Sequence, residues 1–171
     1  MLQFAFLLLL FQMPTKAQVE RFRKEAVVLQ AGINEAAESA VPGFALLQRA
    51  NGVYLDGIGA VFTLEVSLEP TRNPFSSPKT PKEVRTIVNE RRKTVKQKLL
   101  ELVKQKAATL ESIAPTESIT IVLNLMNTNP ADLPDMPSQL IIVVKKQDAL
   151  DFRDKKLDAD AFAAKIRVEE F

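Results

Sequence analysis

Thr80-Pro81-Lys82-Glu83 starts a helix at a point that decides the rest of the architecture. Threonine is a favoured N-cap, proline suits the first helical position, and Glu83 can reach back to the cap to complete a capping box. Val84, Val88, Val95, Leu99, Leu102, Val103, Leu110 and Ile113 then form one apolar stripe. The stripe predicts a helix to about Ile113, just before Pro115. It is interrupted at Arg91 and Arg92, so the N-terminal half is expected to project beyond the core. Strand patterns lie on both sides of this helix. From Ala60 to Leu68, Phe62, Leu64, Val66 and Leu68 point one way, and Val61, Thr63, Glu65 and Ser67 the other. Ser118 to Leu125 is rich in β-branched residues, and Gln139 to Val144 is nearly all apolar, which suits a central strand.

The remaining segments complete a segregated order of elements. Phe22, Ala26, Leu29, Ile33, Ala37 and Ala40 form a helical stripe within Gln18–Ala40, stopped by Pro42-Gly43. Phe44 to Gln48 is a short apolar run. Ala50-Asn51-Gly52 then reads as a tight turn before Val53-Tyr54-Leu55 resumes extended structure. Asp56, Gly57 and Gly59 read as a structural bend or bulge. Residues 69–80 and 126–138 are proline-rich and expected to be exposed loops. Asp148 and Asp158 are expected to cap two short C-terminal helices, and Arg167 to Phe171 a last strand. The expectation is a single α+β domain over 18–171, with helices on a mostly antiparallel sheet of about four to five strands.

Residues 1–17 are a separate matter. Met1 to Met13 carries no charge, Pro14-Thr15-Lys16-Ala17 follows, and the chain then turns abruptly charged. A short apolar run ending in proline and a small-x-small triplet reads as a secretory signal peptide cleaved after Ala17. Leu2 to Met13 as a helix spans roughly 18 Å, too short for a bilayer core of about 30 Å. No Lys or Arg precedes the run, so an uncleaved membrane anchor and a buried cytosolic segment are the alternatives. The mature chain is expected to have no transmembrane span and to be periplasmic or extracellular.

Tyr54-Leu55-Asp56-Gly57-Ile58-Gly59-Ala60-Val61-Phe62 is similar to a Y-L-x-G-x-G-x-x-F strand motif of uncharacterised exported bacterial proteins. Their C-termini also resemble Leu140 to Lys146 followed by Asp148, then Phe162, Ile166 and a final aromatic residue. The resemblance implies export and fold, and carries no activity.

Composition closes several routes to chemistry. There is no histidine and no cysteine, so histidine triads, zinc sites and disulfides are ruled out, and no metal or cofactor is expected. Net charge is +2, against nucleic acid as a main partner. From Pro81 to Ile113, however, nine Lys and Arg stand against four Glu. Arg91, Arg92 and Lys96 there are the candidates for an anionic partner; the alternative is a solvated helix face. Asp56-Gly57-Ile58-Gly59 lacks the third glycine of a dinucleotide loop, and a hairpin bulge outweighs an anion cradle. Tyr54 reads as a rim or interface residue. Asp148, Asp151, Asp154, Asp158 and Asp160 lack the glycine and closing glutamate of a calcium loop, and read as caps and solvated charges. Asp132 and Asp135 fall in a proline-rich loop, where the paired carboxylates of a hydrolase are conceivable. The sequence thus points to an exported, non-enzymatic binding or structural protein. The alternative is an accessory subunit of an envelope or membrane assembly, with another envelope protein as partner; a carboxylate or Ser-Lys hydrolase comes last.

Overall fold

A computed structural model describes residues 15–40, 46–70, 75, 77–127 and 133–171. Residues 1–14, which include most of the expected signal peptide, together with the Pro42-Gly43 stop, Phe44, Asp132 and parts of both proline-rich loops, lie outside the described residues. Helix α1 is Lys16–Ala40, followed by strands β1 (Leu46–Leu55) and β2 (Gly59–Ser67). Helix α2 (Pro81–Lys106) leads through a 3₁₀ turn (Ala107–Thr109) to β3 (Ser118–Met126) and β4 (Gln139–Lys145). Helices α3 (Lys146–Arg153) and α4 (Ala159–Lys165) and strand β5 (Arg167–Glu170) end the chain. The protein is α+β.

The five strands lie in sequence order, β1-β2-β3-β4-β5. Three neighbouring pairs are antiparallel and β2–β3 is parallel. The parallel pair follows from connectivity: α2 carries the chain back along the sheet, so β3 starts at the same end as β2. Phe62, Leu64 and Val66 of β2, Ile119, Ile121 and Leu123 of β3, and Leu140, Ile142 and Val144 of β4 are all buried. They meet the expected stripe of α1, all six residues of which are buried. The Phe22 ring lies 6.1 Å from that of Phe62. Gly32 lets α1 and α2 cross closely, because a Cβ there would sit 2.6 Å from Leu102 Cδ1. Helices α3 and α4 join the same layer, with Phe152 stacked on Phe162 and Lys104 of α2 over the Phe152 ring. One face of the sheet is therefore roofed by helices.

Four local expectations change. Asn51-Gly52 makes no turn: β1 runs through it, with Asn51 opposite Thr63 and Gly52 opposite Phe62. Glycine is needed at 52 for space, since a Cβ would fall 2.6 Å from Phe62 Cε1. The reversal comes at Asp56-Gly57-Ile58, where Ile58 N–H donates to Leu55 O and Gly57 takes φ +72°. Helix α2 has the expected capping box but stops at Lys106, because the chain tightens into the 3₁₀ turn. Its N-terminal half does not stand clear: Val88 is buried and Arg91 is bonded to the end of β2. Asp148 is not a cap; it lies in the first turn of α3 and pairs with Lys165, whereas Asp158 does cap α4. The outer strand β1 has irregular register on either side of Gln48, and Asn34 of α1 accepts from Ala50 N–H at 2.7 Å.

Candidate functional site

The sequence-derived candidates fall in different places, and most are engaged inside the fold. Arg91 Nη1 donates to the carbonyls of Leu68 (3.1 Å) and Glu69 (2.9 Å), closing the end of β2. Arg92 and Lys96 both face Glu170 of β5, at 3.6 and 2.8 Å. These two cations hold the Glu170 carboxyl below its usual pKa, Lys96 by a hydrogen bond foremost. All three are thus engaged by the sheet, Arg91 at the end of β2 and Arg92 and Lys96 at β5. Asp151 bonds Gln147 and Lys156, Asp154 pairs with Arg153, and Asp135 approaches Arg85 at 3.9 Å. Among the described residues, no three His, Cys, Asp or Glu are grouped to hold a metal ion.

Asp56, Gly57 and Gly59 form the hairpin end, and a group that sequence reasoning missed organises it. Glu117 is only 5% exposed. Its Oε1 accepts from Tyr54 O–H at 2.8 Å and from Gly57 N–H at 3.1 Å, and its Oε2 accepts from Ala114 N–H at 2.8 Å. Tyr54 in turn accepts from Gln18 Nε2 at 2.8 Å. Burial, then the hydrogen bond and negative charge of Glu117, push the Tyr54 phenol up to about 12. The clasp ties α1, the hairpin and the turn before β3 together. Its only trace in the sequence is an acidic residue two places after Pro115, which alone marks a turn.

Lys146 was missed as well. It is 2% exposed and donates Nζ hydrogen bonds to Ala108 O (2.8 Å) and Ala107 O (3.3 Å) in the 3₁₀ turn. Desolvation lowers its pKa to about 8. Beside it in sequence, Lys145 is exposed, so the pair Lys145-Lys146 gives no sign of which lysine turns inward.

Two recesses lined by described residues adjoin the helical layer, among others. The larger, a groove of about 270 Å³, has Leu100 of α2, Phe162 and Ile166 around α4, and Val168 of β5 among its walls, with Glu101 and Lys104 as its charged side chains. The smaller lies between Leu68, Leu125 and Leu133.

The opposite face of the sheet has no layer over it among the described residues. Register places its side chains in rows across the strands. One row is Val53, Val61, Thr120, Val143 and Arg167; the next is Asn51, Thr63, Val122, Ile141 and Glu169. Seven of these ten are β-branched. Leu55 and Lys145 lie beyond the first row, and Glu65, Asn124 and Gln139 beyond the second. Val53 and Leu55 are each 44% exposed. The apolar run of β4 that suggests burial on both sides therefore has Ile141 and Val143 on the uncovered side. Among the described residues no helix is long and apolar enough to cross a membrane.

The site thus defined is a surface, the sheet face that none of the described residues covers. No protein-family model matches the chain, and neither a curated protein nor a solved structure shows significant similarity to it.

Proposed function

We propose that this chain is an exported, non-enzymatic protein with a binding or structural role outside the cytoplasm, acting through a surface. The observation that supports export is where the described core begins. The buried side chains of α1 begin at Phe22, so cleavage after Ala17 leaves each of them in the mature chain. Gln18, the new first residue, is the one that reaches Tyr54 and the Glu117 clasp. Of the described residues before the cut, Thr15 accepts from the N–H groups of Gln18 and Val19 in the first turn. The binding role draws on the uncovered β-branched rows, because a contiguous apolar field rimmed by polar groups is how partner surfaces are built.

The test is to fractionate the native host and sequence the N-terminus of the recovered protein. A chain starting at Gln18 outside the cytoplasm is the expected result. An intact Met1 on a cytosolic protein refutes export, and an intact Met1 on a membrane-bound protein replaces cleavage with anchoring.

A further inference from the structure

The sheet face that none of the described residues covers carries stiff apolar rows between polar ends. We propose that two copies of this chain pair through it, sheet against sheet; the inference rests on the binding role just argued and not on export. Stacked sheets pack about 10 Å apart through alternating side chains such as the Val, Ile and Thr rows here. Such stiff residues have little rotamer freedom to lose on burial.

Charge favours a second copy over a strongly charged partner. The rows end in Arg167 and Glu169, which pair with each other at 3.1 Å. Two further charges flank the field, Glu65 on β2 and Lys145 on β4, and neither side chain has a partner among the described residues. The face therefore carries two charges of each sign and no net charge. Glu65 and Lys145 lie at opposite corners: Glu65 beside Asn124 in one outer row, Lys145 beside Ser118 in the other. A two-fold axis between the faces, perpendicular to the line joining these corners, sets Glu65 of each copy against Lys145 of the other. Isologous pairing thus supplies both charges with the partner each lacks.

Size sets the strength. Five strands at about 4.8 Å and four rows at about 6.6 Å give a footprint of roughly 600 Å². A standard interface buries about 800 Å² per partner, so the pairing falls in the weak, micromolar range.

Charge reversal tests this. Sedimentation equilibrium from about 1 to about 500 μM would be run on the purified protein, Glu65→Lys, Lys145→Glu and the double exchange. Wild type should dimerise. Each single reversal should weaken the dimer by about tenfold or more, since like charges then meet twice per dimer. The double exchange should restore association to within about threefold, since opposite charges face each other again. Thermal melts of the four proteins at low concentration confirm that each is folded. Three results overturn the proposal: monomers at every concentration, a dimer indifferent to the single reversals, or no restoration in the double variant. A monomer that instead copurifies with another protein, with the open face masked, also overturns it and assigns the face to that protein. The two readings fail separately: a monomer that starts at Gln18 keeps export and loses pairing, and a cytosolic dimer does the reverse.

Discussion

Replacing Gly59 with Ala should cost far more than the same change two residues earlier. Both glycines have positive φ, +72° at Gly57 and +115° at Gly59. A Cβ at Gly57 meets nothing within 4 Å, so Gly57→Ala incurs the left-handed backbone penalty alone, about 1 kcal/mol. A Cβ at Gly59 would lie 2.0 Å from Ser118 O and 2.8 Å from Ser118 N. Those are backbone atoms at the start of β3, and they must retreat by more than about 1 Å to reach ordinary contact. The retreat strains the Ser118 N–H bond to Ile58 O, 2.9 Å, and the adjoining Glu117 clasp. One or two hydrogen bonds at about 1 kcal/mol each, added to the backbone penalty, give about 3 kcal/mol. For a chain of this size that is a fall in Tm of roughly 6–12 °C, against 2–4 °C for Gly57→Ala. Urea unfolding followed by circular dichroism gives both values directly. Equal losses for the two variants, or a smaller loss at Gly59, would refute the close-approach argument.

Other parts of the structure make equally definite demands. Glu117→Gln should lower the Tyr54 pKa from about 12 toward its ordinary value of 10.0, with burial retaining part of the shift. It should also cost about 2 kcal/mol, because an amide cannot accept at both of the carboxylate's positions. Ultraviolet titration of this sole tyrosine reads the first effect, and an unmoved midpoint would contradict the clasp. Lys146 is charged in the unfolded chain up to its ordinary pKa of 10.5 but only to about 8 when folded. The unfolded state therefore binds more protons between those values, and this lysine makes stability rise with pH there. Tyr54 acts oppositely above pH 10.0, so denaturation between pH 8 and 10 isolates the effect, and Lys146→Met should abolish the rise. Arg91→Gln should cost about 1.5–3 kcal/mol through its two carbonyl bonds, whereas exposed Lys93→Gln should stay within about 0.5 kcal/mol. Equal losses in chemical denaturation would mean that Arg91 is no more than a solvated charge.

Much of the fold could be read in the sequence because its signals are local. The Thr80–Glu83 capping box, the α1 stripe, the alternation of β2 and the Asp158 cap each depend on a few neighbouring residues, and each forms as read. Asn51-Gly52 misled because its glycine answers to the Phe62 ring on the next strand, a contact that no window around residue 52 contains. Arg91 reads as a surface candidate for an anionic partner for the same kind of reason: its partners, the carbonyls of Leu68 and Glu69, lie more than twenty residues away. Glu117 and Lys146 are ordinary surface residue types whose burial depends on where the hairpin end and the 3₁₀ turn come to rest. The bare face was half legible. The alternation of β2 marked a wetter side, but the apolar run of β4 masked the fact that its strand shares that side.

Asn34 gives the outer strand a property beyond its own stability. An unpaired strand edge is a template for adding further strands without limit, the route by which sheets grow into fibres. Here β1 bends out of register around Gln48, and the Ala50 N–H that would greet an incoming strand is already taken by Asn34. At the far side β5 offers four residues, too few to seed a ladder. The sheet thus ends itself at both edges. Asn34→Leu, which frees the Ala50 N–H, is the substitution to watch for fibre formation under conditions where the native chain stays soluble.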